Sequence, residues 1–129
     1  MLRIAYIITI GIVVIHGLIH LMGFVAYWPL GEIAELPYKT TLLNGRFQLS
    51  QTGMRLFSVF WLLAAVGLVG SAVSLVAEKS WWLPLMFAAV LVSLVITALD
   101  WSNAFRGTLL SLVMLVPLLL VWGLRLQPQ

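Results

Sequence analysis

Cysteine is missing from this chain altogether. Its absence excludes disulfide exchange, thiolate metal sites and a cysteine nucleophile, and it removes the usual clue to redox compartment. Charge is nearly missing too: Asp, Glu, Lys and Arg make up 9% of the residues, where a water-soluble domain carries roughly a quarter. Acidic side chains number four, and histidine occurs twice, at His16 and His20. A surface this poor in charge cannot be kept in water, so a soluble enzyme, a nucleic-acid binder and a disordered tail all fall away. The seven Lys and Arg give a net charge of +3, but they stand singly at the edges of apolar runs. That is the placement of interfacial anchors, not of a basic patch for nucleic acid.

What the chain has instead is hydrocarbon. Of its 129 residues, 63% are hydrophobic, and the mean hydropathy is +1.12. The length suits a single domain, 1–129. Crossing a hydrocarbon core of about 30 Å takes about 20 helical residues. Four runs qualify, at about 4–28, 54–77, 81–99 and 105–126. None alternates as a barrel strand does, and in lipid an isolated segment satisfies its own backbone only as a helix. The expected fold is therefore an all-α membrane bundle of four transmembrane helices. Arg3 before the first run resembles the start of a secretion signal, but the run is too long and no small-x-small cleavage site follows, so the span is read as retained. Trp28, Trp81, Trp82, Trp101 and Trp122 fall near the span ends, as an interfacial aromatic belt requires.

An even number of spans puts both termini and the Glu78-Lys79 turn on one side. Arg3, Lys79 and Arg125 lie there, against Lys39, Arg46, Arg55 and Arg106 on the other, a balance that does not set the orientation. The one sizeable connection is the loop 29–53. Its Asn44-Gly45 step, between Thr40-Thr41-Leu42-Leu43 and Arg46-Phe47-Gln48-Leu49, predicts a short β-hairpin pairing Leu42 with Phe47. A lone hairpin is marginal in water, so its Leu42/Phe47 face should lean on the helix ends or the lipid surface. Glu32 to Leu36, between Gly31 and Pro37, suits one helical turn. Ala64, Gly67, Ser71 and Ser74 form a small-residue stripe on the second span, which suits close helix packing within the chain or between copies. Pro117, mid-span in the fourth helix, frees the Val113 carbonyl and predicts a kink.

Polar residues inside a span are costly and carry most of the functional information. His16 and His20 are four apart on one helix face, with Thr9, Gly23 and Tyr27 extending the stripe. On the third span Ala89, Ser93, Thr97 and Asp100 share a face by the same spacing. Topology gathers His20, Arg55, Thr97, Asp100, Asn103 and Arg106 in the loop-side half, beneath Glu32, Glu35 and the hairpin, while the other side holds little. A loop-side pocket is the expected site. It would lie between the first and third helices, with His16 and His20 as its floor and Arg55, Asp100 and Arg106 as its rim. Three roles stay open for the histidines: hydrogen bonds to neighbouring helices, ligand or proton contact, and metal ligation with Asp100 or a loop Glu as a third ligand. Asp100 with Arg106 or Arg55 also suits an interfacial ion pair.

The segments Gly17-Leu18-Ile19-His20-Leu21-Met22-Gly23-Phe24 and Asp100-Trp101-Ser102-Asn103-Ala104-Phe105-Arg106-Gly107-Thr108 resemble a pattern in small bacterial four-span proteins of DoxX-like outline. The resemblance implies a membrane location and a role beside a quinone- or thiol-linked redox system, and it supplies no catalytic residues. The preferred function is a non-catalytic module that binds a lipid- or quinone-like molecule, or an accessory subunit of a larger membrane complex. The implied partners are membrane lipids, that ligand, and further copies of the chain or other subunits. Two alternatives are a membrane enzyme using His16, His20 and Asp100 as a metal or acid–base site, and an oligomeric proton-coupled carrier with His16 at the midplane.

Overall fold

The computed structural model describes residues 1–125. These residues form four helices and one two-stranded hairpin: α1 (Leu2–Tyr27), β1 (Thr41–Leu42), β2 (Phe47–Gln48), α2 (Gln51–Val76), α3 (Trp82–Leu99) and α4 (Trp101–Arg125). All four helices are long and apolar enough to cross a membrane. Each helix packs on its neighbour in sequence: α1 on α2, α2 on α3, and α3 on α4. The helix α1 does not close against α4 in the same way, and a cleft runs between them. The residues after Arg125, where the sequence places the end of the fourth span, lie outside the described residues.

The buried faces combine small residues with aliphatic and aromatic side chains. The stripe on α2 packs within the chain: a Cβ built on Gly67 would lie 2.8 Å from Ala89 Cβ of α3, so the two backbones meet closely at that point. Gly23 of α1 is under a stronger constraint, because a Cβ there would fall 2.1 Å from the Trp61 ring of α2. Ser71 and Ser74 donate to carbonyls of their own helix, at Leu68 and Gly70. Thr9 does the same toward Ala5 and is exposed, so the polar stripe of α1 stops short of it.

The connections are decided by local hydrogen bonding. Ser50 caps α2 by accepting from the Gly53 amide at 3.0 Å. The other end of α2 closes with the Lys79 amide on the Ser74 carbonyl at 2.9 Å and the Glu78 amide on Leu75 at 3.1 Å. This is the paired C-terminal cap that usually holds glycine, with Glu78 in the left-handed position at φ 56°. Within α4 the one residue outside helical dihedrals is Ala104, at φ −124° and ψ 18°. The break therefore comes at the entry to the span. It follows the Asp100 carbonyl, which accepts both the Asn103 and Ala104 amides, and no residue around Pro117 leaves helical dihedrals.

The hairpin pairs Leu42 with Phe47 and Thr41 with Gln48. Asn44 at φ 57° and Gly45 at φ 84° form the tight turn, closed by the Arg46 amide on the Leu43 carbonyl at 3.2 Å. Of the Leu42/Phe47 face, Leu42 is the side chain that leans on the helix ends. Leu42 is buried while Phe47 stays exposed, because the Leu43 amide hooks onto the Leu99 carbonyl at the end of α3 and draws β1, not β2, against the bundle. Leu36 is buried with it, held by a turn in which its amide bonds the Ile33 carbonyl at 3.0 Å. The loop is a cap seated on one end of the bundle.

Candidate functional site

Two polar clusters occupy the bundle, and they are separate. The deeper one joins α1, α3 and α4. Ser93 Oγ lies 2.8 Å from His20 Nε2, 2.8 Å from Ser111 Oγ and 3.1 Å from His16 Nε2, while Ser111 Oγ lies 3.3 Å from His16 Nε2. His20 Nδ1 lies 2.8 Å from the His16 carbonyl. A carbonyl only accepts, so His20 carries its proton on Nδ1 and its Nε2 accepts from the Ser93 hydroxyl. Ser93 then accepts from Ser111 and from His16 Nε2–H. This one proton assignment satisfies the group with both imidazoles neutral. All four side chains are almost fully buried, where an unmade bond is expensive. One turn away, Thr108 donates to Thr97 at 3.1 Å and Thr97 to the Ser93 carbonyl at 2.7 Å, fastening α4 to α3.

The second cluster seals the loop onto the bundle. Asp100, buried at the end of α3, accepts from the Tyr27 hydroxyl on one oxygen and pairs with Lys39 on the other. Lys39 also donates to Ser102 at 3.2 Å. The expected pairing of Asp100 with Arg55 or Arg106 is thereby corrected: Lys39, from the loop, takes that place. The reason is that the hairpin hook at Leu43 brings the preceding loop residues directly over the α3–α4 junction. Arg55 turns the other way and lies over the Trp28 ring at 5.8 Å.

Between α1 and α4, on the loop side, is a cavity of about 460 Å³. His16, His20, Thr97, Asn103 and Arg106 line it, joined by Glu35 from the loop. Five of the seven residues picked out in the sequence thus meet in one space, and Arg55 and Asp100 do not reach it. The cavity is walled by α1 and α4, with α3 behind, where the sequence reading put it between α1 and α3. A larger hollow of about 740 Å³ lies within the loop from Pro29 to Tyr38, but no buried polar side chain lines it.

Trp61 also lines the cavity, and sequence reasoning passed over it. It is 2% exposed, and its indole Nε1 is the one buried side-chain polar atom without a hydrogen-bond partner among the described residues. His20 stacks near it, with ring centroids 5.3 Å apart. The available signal was position: the other tryptophans fall near span ends, and Trp61 sits mid-span, where no water reaches an indole N–H. Ser111 was missed for a different reason, since a single serine in an apolar run has no partner visible in sequence.

The cavity wall thus includes Trp61, whose buried indole N–H has no acceptor, and His16, whose Nδ1 has no protein partner among the described residues. Arg106 adds a positive charge and Glu35 a negative one. No three His, Asp or Glu residues come together as a metal-holding group among the described residues. His20 uses both ring nitrogens within the protein, and Asp100 belongs to the other cluster. Comparison with family models, curated proteins and solved structures finds no match for this chain.

Proposed function

We propose that this protein is a non-catalytic membrane module that binds a lipid- or quinone-like molecule in the loop-side cavity between α1 and α4. The observation that carries the reading is Trp61, which lines that cavity and whose buried indole N–H has no acceptor. A ligand oxygen is what such a donor lacks. The cavity volume of about 460 Å³ falls within the roughly 300–1,000 Å³ of small-molecule sites. Its lining also matches an amphiphile: apolar Ile19, Met22 and Leu110 with a few placed polar groups. The setting we propose is a membrane that the four spans cross, the cytoplasmic membrane if the cell is bacterial, where the module works alone or as an accessory subunit.

The test is native mass spectrometry of protein released in mild detergent, with Trp61→Phe beside the wild type. The wild type should retain a small lipophilic molecule. The variant keeps an aromatic ring but loses the donor, worth about 1 kcal/mol, so its affinity should fall by about fivefold and less ligand should be retained. Its thermal stability when empty should change little, the removal of an unpaired buried donor offsetting the loss of ring packing. Failure of the wild type to retain or rebind any lipid- or quinone-like probe would overturn the reading.

A further inference from the structure

The cleft between α1 and α4 does not end at the polar cavity. Leu110 lines that cavity and also a second hollow of about 350 Å³ that continues along the same two helices. Ile12 and Val13 of α1 face Val113, Pro117 and Val121 of α4 there, and Met86 of α3 lies among the lining residues. Thr9 is the one hydroxyl on this lining, and it is already bonded to the Ala5 carbonyl at 2.8 Å. The second hollow is therefore almost wholly apolar, with the Trp82 indole as its other polar group. From Arg106 to Val121, at roughly 1.5 Å per residue, the seam runs about 23 Å, most of the ~30 Å hydrocarbon thickness of a bilayer.

We infer that this seam is a lateral channel that seats the single hydrocarbon tail of the ligand, whose head group carries one negative charge and lies in the polar cavity against Arg106. The inference rests on the binding reading above and names its ligand class: a single-chain amphiphile of the long-chain carboxylate kind. Three observations carry it. Arg106 lines the cavity and makes no ion pair among the described residues, its guanidinium lying 5.7 Å from the Phe105 ring centroid. Glu35, the acidic residue on the same lining, offsets that charge, so a monoanion is favoured over a more highly charged head. The carboxylate would meet Arg106 on that lining. Both volumes fall in the range of a drug-sized ligand, which accommodates a head and one tail and not a diacyl lipid. Because α1 and α4 lack the direct packing of the other neighbours, the tail enters sideways from the bilayer and never crosses water.

The two hollows carry their own reporters, since Trp61 lines the first and Trp82 the second. The experiment uses three proteins that all keep Trp61, one with Trp61 alone, one with Trp61 and Trp82, and one with Trp61 and the exposed Trp101, the remaining tryptophans being changed to Phe and the Trp82 and Trp101 signals read as differences from the Trp61 protein. Equal helix content by circular dichroism checks that all three fold. Each is placed in phosphatidylcholine vesicles and titrated with a long-chain fatty acid brominated either next to its carboxylate or at its chain end, bromine being a contact quencher of indole fluorescence. Expected is saturable quenching of Trp61 by the head-brominated acid and of Trp82 by the end-brominated acid. Trp101 should respond only in proportion to bulk bromine. In the Trp61 protein, Arg106→Gln should weaken apparent affinity about tenfold. Proportional quenching of Trp82 with saturable quenching of Trp61 would overturn the channel and leave the cavity reading standing. Proportional quenching at both would overturn both. Shielding of Trp82 together with a dimeric mass would show that a second copy covers the seam, which overturns the channel as well.

Discussion

At the scale of single residues, this protein is organised by a few hydroxyls and charges whose importance comes from their partners. Ser93 is the clearest case. Its hydroxyl stands between His16, His20 and Ser111, whereas Ser71, equally buried, only donates back to its own helix at Leu68. Ser93→Ala should therefore cost about 1–3 kcal/mol by leaving buried imidazole nitrogens unpaired. Ser71→Ala should cost less than about 1 kcal/mol, because back-bonding within a helix adds little. Unfolding in mild detergent, followed by circular dichroism, separates the two, and equal losses would show that the hub is not a cooperative unit. The Lys39–Asp100 pair makes a second prediction. Asp100 is fully buried and Lys39 partly so, and removing one partner strands the other. Asp100→Asn or Lys39→Met alone should each cost about 3 kcal/mol, and the double variant should recover much of that loss. Simple additivity in the double-mutant cycle would show that the two do not interact.

At the scale of elements, the ends and crossings of helices matter more than their interiors. Any apolar run can be a helix in lipid, so the specific information lies in where each one stops and how closely it approaches its neighbour. Glu78 stops α2 in a conformation that suits glycine, at a cost of roughly 1 kcal/mol for a side chain with positive φ. Glu78→Gly should thus raise stability by up to about 1 kcal/mol, visible as a higher unfolding midpoint. A lower midpoint would mean that the Glu78 side chain, not its backbone, matters at this turn. The hairpin turn was legible because Asn-Gly carries its own backbone preference. The exposure of Phe47 was not, since the hook from Leu43 to Leu99 joins residues far apart in sequence. For the same reason the break at Ala104, the one residue of α4 outside helical dihedrals, was not legible in the sequence. A freed carbonyl permits bending, but packing decides whether bending happens.

At the scale of the whole molecule, the arrangement is four helices in sequence order around an unclosed seam, with one end capped by the loop. Four spans put the hairpin and the Glu78-Lys79 turn on opposite faces of the membrane. The absence of cysteine makes this testable on a clean background. Asn44→Cys and Lys79→Cys, each alone, should react with a membrane-impermeant maleimide from opposite sides of sealed vesicles. Labelling of both from one side would contradict four spans. On the function proposed above, the open seam gives the cavity its character, because a site reached through lipid selects for molecules that are already dissolved there.

Composition and run length alone determined that this is a membrane protein of four helices, since the cost of an unsatisfied backbone in hydrocarbon leaves few choices. Helical spacing alone placed His16 with His20 and Ser93 with Thr97, because those relations lie within one element. Which helix stands opposite which was decided only by tertiary packing. That packing set α4 and not α3 across from α1, gave Asp100 to Lys39, sent Arg55 to Trp28, and left Trp61 with a donor and no acceptor. The physical reason is that lipid exerts no hydrophobic force to rank one helix pairing over another. The choice falls to close contacts such as Gly23 against Trp61 and Gly67 against Ala89, which exist only once the helices have met.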